Sequence, residues 1–228
     1  LTNIGIVFPE AGYHQRLREI ADRTETLLVI DETHTFCAGP GGCTRAFRLR
    51  PDFVTLGKAI AGGVPIGAFG MTREIEDRLA KRGFGEPEDT GVLGGTLAGN
   101  ALSMAAARAT LEHVLTEEGF RGMIDLGERF RDRIEGVLTS RDVPWQVAQL
   151  GARIEYRFHP TQPRHGGESA AAADHDLDTY LHCYLLNREV LMTPFHNMAL
   201  MCPATSSDDV DIYVSVFEGA LDEILQRS

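Results

Sequence analysis

The chain has 228 residues, 43% of them hydrophobic and 24% charged, which is the composition of a globular protein and excludes a disordered one. Its 22 basic and 33 acidic residues give a formal charge of −11, which argues against a nucleic-acid backbone or an anionic membrane surface as a partner. Its apolar stretches are far shorter than a bilayer span, so we expect no transmembrane helix. The four cysteines form no Cys-x-x-Cys pair, which predicts a reducing, cytoplasmic compartment rather than a disulfide scaffold or a structural zinc site.

Short apolar runs alternate with helical patterns in the first half of the chain. The runs at residues 4–8, 27–30, 53–56 and 66–71 predict strands. Helical patterns follow Pro9 and cover residues 73–82. Continuous apolar strands that are separated by helices or long crossings predict an α/β sheet covered on both faces.

The second half of the chain is predicted to be mostly helical, with three short strands. Helices are predicted at residues 97–117, 121–139, 177–188 and 208–225, and strands at 145–150, 152–158 and 190–192. Gly151 joins the first two of these strands, and a polar loop fills residues 159–176. We therefore predict that residues 1–120 form part of a large α/β domain, and that residues 121–228 form a linking helix and a smaller α+β domain.

Two charged residues stand directly after predicted strands, where ligands collect in open α/β sheets. Asp31 follows the run TLLVI, and Lys58 follows FVTLG. Taken alone, each has a simpler explanation, since an Asp at this place is often a turn residue and a Lys after Gly is usually a solvated loop charge. The glycines of the loop at residues 61–67 favour a functional role, because they allow close backbone approach to a ligand.

These two charges match the needs of a pyridoxal phosphate (PLP) enzyme. A lysine in a crowded pocket loses its proton readily and can form a Schiff base, and a carboxylate can hold the cationic nitrogen of the cofactor ring. The cofactor phosphate needs hydroxyl and backbone N–H donors, and Gly94-Gly95-Thr96 offers both just ahead of a predicted helix. The pattern therefore predicts a PLP site that includes Asp31, Lys58, Gly95 and Thr96.

Three ordered motifs resemble the signature of the class III PLP-dependent aminotransferases: LLVIDETHT, PDFVTLGKAIAGGVPIGAFG and GGTLAGNALSMAA. The resemblance covers essentially the whole chain. It is strongest to the branch that contains glutamate-1-semialdehyde aminomutase and the β-amino-acid aminotransferases. It implies a fold-type I PLP-dependent transferase, with part of the large mixed-sheet domain followed by the C-terminal α+β domain.

The resemblance also implies roles for individual residues. Lys58 matches the lysine that holds PLP as an internal aldimine and moves a proton during catalysis, and Asp31 matches the carboxylate paired with the pyridine nitrogen. Thr96 matches the threonine that reaches the PLP phosphate of the neighbouring subunit, which implies a homodimer with a shared active site. Thr33 occupies the position that packs on the ring, and His34 the position near the ring hydroxyl. For His34, a histidine that merely fills the strand end is an equal alternative.

The activity implied by the resemblance is transfer of an amino group between an amino acid or amine and a keto acid or aldehyde. An intramolecular aminomutase, an isomerase of the glutamate-1-semialdehyde type, is the alternative within the same chemistry. The alternative from another class is a non-catalytic half that only dimerises or binds a partner. The first two differ in whether an external amino acceptor is required.

The chain departs from the family pattern in three places. Residues 36–42 differ from the loop of many relatives, which leaves the entrance of the site and the substrate open. Residues 193–201 lack the arginine with which several aminotransferases of this class clamp a substrate carboxylate. Members of the family are about twice as long, and their additional half precedes the position of Leu1. We therefore expect a truncated protein, or one whose N-terminal part is absent here.

Two other kinds of ligand site are not supported by the residue spacing. The four histidines between residues 159 and 182 match no compact ligand motif, so we expect no metal site. Gly62-Gly63 and Gly67 resemble a phosphate cradle, but the order G-x-G-x-x-G is absent, so we expect no dinucleotide site.

Overall fold

The computed structural model describes residues 1–3, 5–83, 94–193 and 196–226. The chain divides into two compact units. Unit 1 contains Leu1–Ala11, Cys37–Gly39 and Glu117–Ser228, and unit 2 contains Gly12–Phe36 and Pro40–Thr116. The division of the sequence at residue 120 stays a prediction.

Unit 2 is built on a three-stranded mixed sheet. Its strands, in spatial order, are β1 (Val29–Asp31), β2 (Phe53–Gly57) and β3 (Gly67–Met71). Strand β2 runs parallel to β1 and antiparallel to β3. In this register Asp31 lies opposite Thr55, so the carboxyl ends of β1 and β2 are at the same edge of the sheet. The three strands predicted between residues 27 and 71 are therefore confirmed to within two residues at each end.

The described part of unit 2 also contains four α-helices: α1 (Tyr13–Arg23), α2 (Gly42–Ala46), α3 (Arg73–Ala80) and α4 (Ala101–His113). The sequence predicts that α4 begins at residue 97, but it begins at Ala101. The reason is a side-chain cap, since Asn100 Oδ1 accepts a hydrogen bond of 3.0 Å from the backbone N–H of Ser103. Residues 97–99 consequently form a turn ahead of the helix.

Unit 1 packs helices against an antiparallel sheet. Its helices are α5 (Glu117–Ser140), α6 (Gly166–Ala171), α7 (His175–Leu186) and α8 (Ser207–Gln226), and its strands are β4 (Gln146–Leu150), β5 (Arg153–Arg157) and β6 (Met198–Leu200), in that spatial order. The centre of the core is formed by Ile134, Ile154 and Phe217, from α5, β5 and α8, and each of these side chains is fully buried. No helix within the described ranges is both long and apolar enough to cross a membrane.

Two predicted strands are wrong, and a different hydrogen-bonding pattern explains each. Residues 5–8 form no strand, and residue 4 lies outside the described residues. The N–H of Ile6 donates to Glu155 Oε2 over 2.9 Å, and its carbonyl accepts from the Gln162 side chain over 2.7 Å, so side chains take up the groups that a ladder would use. Residues 190–192 also form no strand, because the N–H of Val190 closes the end of α7 on Leu185. Strand β6 was not predicted.

The sheet of unit 2 is also less covered than the sequence predicts. Val29 on β1 is 53% exposed and Phe69 on β3 is 49% exposed in the described chain. An apolar run shows which side chains favour burial, but it does not show what covers them.

We expect Phe217→Ala to lower the free energy of unfolding of unit 1 by about 3–5 kcal/mol, because it leaves a cavity in a closed core. Ile212→Ala on the same helix is the matched control. Ile212 is 55% exposed, so its loss should change stability by no more than about 0.5 kcal/mol. Urea unfolding followed by circular dichroism measures both variants, and equal losses would contradict the placement of α8.

Candidate functional site

The site predicted from the sequence lies at the paired carboxyl ends of β1 and β2. Asp31 is opposite Thr55, and His34 and Lys58 each follow this pair by three residues. The two segments leave the sheet side by side, and Lys58 Nζ lies 3.1 Å from His34 Nε2. Parallel pairing therefore brings together side chains that are far apart in the sequence.

The backbone of Lys58 has an unusual conformation. Its φ angle is +50°, in the left-handed region that residues other than glycine rarely adopt. It opens a single 3₁₀ turn, Lys58–Ala61, whose last two residues, Ile60 and Ala61, are buried. The buried end of the turn fixes its exposed beginning, where the lysine side chain is. Strained conformations of this kind cluster at functional sites.

Helix α4 supports the loop that follows Lys58. Ser103 Oγ donates a hydrogen bond of 3.0 Å to the carbonyl of Pro65. Gly62 has a φ of +59°, and a Cβ atom there would lie 3.3 Å from Thr110 Oγ1. The close approach of this turn to α4 therefore favours glycine on two grounds, the backbone angle and the space.

Asp31 is held as an anion. The N–H of Thr33 donates to Asp31 Oδ1 over 2.8 Å. Hydrogen bonds from the side chain and backbone of Thr33, with a smaller contribution from Thr55, lower the pKa of Asp31 below its usual range. At neutral pH this exposed carboxylate is therefore ionised and can pair with a cation.

His34 contacts the amine of the candidate nucleophile. An ammonium group has only donors, so a hydrogen bond from protonated Lys58 requires that Nε2 of His34 be the unprotonated acceptor. In that tautomer Nδ1 carries the ring proton. The imidazole is thus placed to hold the amine in one orientation.

Gly95 and Thr96 lie on the exposed turn ahead of α4. Among the residues that the structure describes, no hydrogen bond links either of them to Asp31 or Lys58. Hydrogen bonds and strand pairing therefore link four of the six predicted residues, Asp31, Thr33, His34 and Lys58. The role of Gly95 and Thr96 in the site stays a prediction.

Glu32, which follows Asp31 and is only 2% exposed, is not among the predicted site residues. The signal was available, because side chains alternate along an extended segment and an exposed Asp31 implies that Glu32 points inward. Cys43, also buried, donates its backbone N–H to Glu32 Oε2 over 3.1 Å. Burial, with the nearby Glu32 charge, raises the pKa of the Cys43 thiol to about 11.

Comparison with known families places the chain in a class. The aminotransferase class-III family profile matches residues 1–216. The chain therefore belongs to the class-III aminotransferase family, as its three motifs predict. The chain spans about half the length of the curated relatives that it matches.

The particular relatives include glutamate-1-semialdehyde 2,1-aminomutase of Opitutus terrae, which is 33% identical over 224 residues, or 97% of this chain and 51% of that protein. The crystal structure of a glutamate-1-semialdehyde-aminomutase from Pseudomonas aeruginosa PAO1 is similar with a TM-score of 0.93 and 43% identity, over 98% of this chain and 50% of that one. A β-phenylalanine aminotransferase from Variovorax paradoxus has a TM-score of 0.85 and 29% identity, over 96% and 50% of the two chains. These neighbours confirm the predicted α/β fold as part of a fold-type I PLP-dependent transferase.

The two environments of Cys43 and Cys202 predict different thiol reactivities. With a pKa of about 11, roughly 1% of Cys43 is thiolate at pH 9, and burial further limits access. The pKa of the exposed Cys202 is lowered by a hydrogen bond from Thr205. We expect iodoacetamide at pH 8 to label Cys202 at least about tenfold faster than Cys43. Peptide mass mapping measures both rates, and equal labelling would contradict the burial of Cys43.

Proposed function

We propose that the protein binds PLP at Lys58 and Asp31 and transfers an amino group between an amino acid or amine and a keto acid or aldehyde. The observation that carries this proposal is the contact between Lys58 and His34 at the paired strand ends that also hold Asp31. The proposal is supported by membership of the class-III aminotransferase family. It is also supported by the similar P. aeruginosa aminomutase, a variant of which was solved in complex with PMP.

The residues present fit this cofactor. Asp31 offers a carboxylate whose lowered pKa keeps it ionised, which suits a protonated pyridine nitrogen. Lys58 offers an exposed primary amine on a strained, anchored turn. When bound, PLP supplies an electron sink for negative charge that develops on the substrate carbon.

Three side chains of the protein have separate roles in the proposed reaction. Lys58 Nζ is the group that we propose takes a proton from the substrate carbon and returns it at a second position. His34 Nε2, 3.1 Å away, orients this amine. Asp31 holds a fixed negative charge, and its hydrogen bond from Thr33 fixes the direction of its carboxylate.

Gly95 and Thr96 are proposed to bind the phosphate of a cofactor held by a second copy of the protein. Support comes from the exposure of their turn ahead of α4 and from the donors that it offers a phosphate, the backbone N–H groups and the hydroxyl of Thr96. Two neighbouring apolar side chains are highly exposed, Leu97 at 79% and Leu102 at 71%. An exposed apolar patch beside an anion-binding turn is consistent with a homodimer that shares its active sites.

An intramolecular aminomutase is the second candidate function. It is favoured by the relatives, since the similar proteins from O. terrae and P. aeruginosa are both glutamate-1-semialdehyde aminomutases. The two candidates differ in stoichiometry. An aminotransferase consumes an external keto acid or aldehyde, whereas an aminomutase converts its substrate without one.

A reducing, cytoplasmic compartment is part of the proposal. All four cysteines are free thiols. The formal charge of −11 continues to favour small-molecule substrates over nucleic acid.

The chain contains two lysines, Lys58 and Lys81, which makes the cofactor assignment easy to test. We expect the protein to form a visible absorption band with PLP that borohydride removes, leaving the pyridoxyl mass on Lys58. Lys58→Ala should abolish the band, whereas Lys81→Ala, on an exposed residue after α3, should retain it. Labelling of both lysines alike, or no band at all, would contradict the proposal and favour a non-catalytic half that only dimerises or binds a partner.

The same loaded protein separates the two candidate functions. Incubation with an amino donor in the presence and absence of a keto acid, followed by mass spectrometry of both, shows whether nitrogen moves between molecules. Transfer of ¹⁵N from the donor to the keto acid supports the aminotransferase. Conversion of glutamate-1-semialdehyde without any acceptor supports the aminomutase.

A further inference from the structure

The carboxylate of Glu32 is buried directly beside the candidate site. Glu32 extends the pairing of β1 with β2, since its N–H donates to the carbonyl of Thr55 over 2.8 Å. Because side chains alternate along the strand, Asp31 is exposed at the site while Glu32 is directed into the protein. A buried carboxylate is stable only where donors replace the water that it loses.

Four donors surround this carboxylate. Oε1 accepts hydrogen bonds from the N–H and the hydroxyl of Thr44, the latter over 2.6 Å. Oε2 accepts from the N–H of Cys43 over 3.1 Å and from the hydroxyl of Thr35. These donors come from both ends of the loop that begins at Thr35 and returns at the start of α2. The two ends of this loop are therefore held together by the side chain of Glu32.

Gly42 shows how closely the returning chain approaches Glu32. Its φ is +61°, and a Cβ atom at this position would lie 2.6 Å from Glu32 Oε2, well inside contact distance. Any other residue would be strained here and would displace the carboxylate. Glycine at this position is thus explained by Glu32.

The turn that carries Thr33 and His34 is held at both ends by Glu32. The backbone N–H of Glu32 is bonded to β2, and the backbone carbonyl of Glu32 accepts a hydrogen bond from the N–H of Phe36 over 2.8 Å. Its side chain holds the hydroxyl of Thr35. The residues that orient Asp31 and Lys58 lie between these anchors.

Resting on the proposed function, we infer that Glu32 is a positioning residue for the cofactor site. Its anchored carboxylate fixes the backbone of residues 31–36, and this backbone sets the Thr33 hydrogen bond to Asp31 and the contact of His34 with Lys58. Glu32 touches neither cofactor nor substrate in this role. It acts through the residues on either side of it.

Glu32→Gln tests this inference in the chain of 228 residues. The substitution keeps the shape of the side chain but turns an amide NH₂ toward groups that donate. We expect hydrogen exchange of the Thr33, Cys43 and Thr44 amides in the cofactor-free protein to rise by about tenfold, the factor that corresponds to one charged hydrogen bond. After loading, the dissociation constant for PLP should rise by about tenfold, and the pH midpoint of the visible band should shift, because Asp31 and Lys58 are less well oriented.

Asp52→Asn is the matched control. Asp52 also accepts a backbone hydrogen bond, 2.7 Å from the N–H of Leu28, and pairs with Arg18, but it lies at the amino end of β2. Its loss should destabilise unit 2 without changing exchange at Thr33 or the pH midpoint. Thr44→Val is a milder second variant that removes one donor and retains the carboxylate. It should change the same readouts as Glu32→Gln, by about threefold, even if Glu32→Gln folds poorly.

The outcomes separate this inference from the proposed function. If the unaltered protein takes up no PLP on Lys58, the proposed function is wrong, and exchange at Thr33 alone decides whether Glu32 positions the turn. If the unaltered protein binds PLP, but Glu32→Gln and Thr44→Val match Asp52→Asn in exchange, affinity and pH midpoint, Glu32 is merely structural and the inference is overturned.

Discussion

The parallel pairing of β1 with β2 is the constraint on which the candidate site depends. Two strands that run in the same direction end at the same edge, and the register that sets Asp31 opposite Thr55 also sets His34 beside Lys58. A shift by one residue would turn every side chain to the other face. It would bury Asp31 and expose Glu32. The pairing thus decides which carboxylate can meet a ligand.

The two adjacent carboxylates show how environment divides the tasks of similar groups. Asp31 remains at the surface, where hydrogen bonds from Thr33 lower its pKa and keep it available as an anion. The carboxylate of Glu32 is buried, and four donors from Thr35, Cys43 and Thr44 replace the water that would hydrate it. These hydrogen bonds connect the two ends of the loop behind the site. The charge of Asp31 is therefore accessible to a ligand, whereas the charge of Glu32 is enclosed by the protein. Burial also holds the strained backbone of Lys58, because the last two residues of its own turn are buried.

Local patterns predicted most of the elements, since a 3.6-residue or two-residue period of apolar side chains directly reflects one buried face. They failed at residues 5–8, where backbone groups bond to side chains distant in the sequence. They also failed at residues 190–192, where the N–H of Val190 bonds to the carbonyl of Leu185. Ile6 is apolar and buried, as a core strand would be, but its N–H is bonded to Glu155. Helix α4 begins later than predicted for a local reason, the Asn100 cap, and an asparagine ahead of a helical pattern is itself a sequence signal for a helix start.

The family, the α/β fold, and the choice of Asp31 and Lys58 as candidate cofactor ligands could be predicted from residue order, because glycine-rich motifs and charges after apolar runs are local signals. Three other features depend on contacts between distant segments: the contact of Lys58 with His34, the burial of Glu32 and the need for glycine at residue 42. Burial and hydrogen bonding depend on which segments of the chain are neighbours in the folded protein. Residue order alone does not show which of these tertiary contacts form.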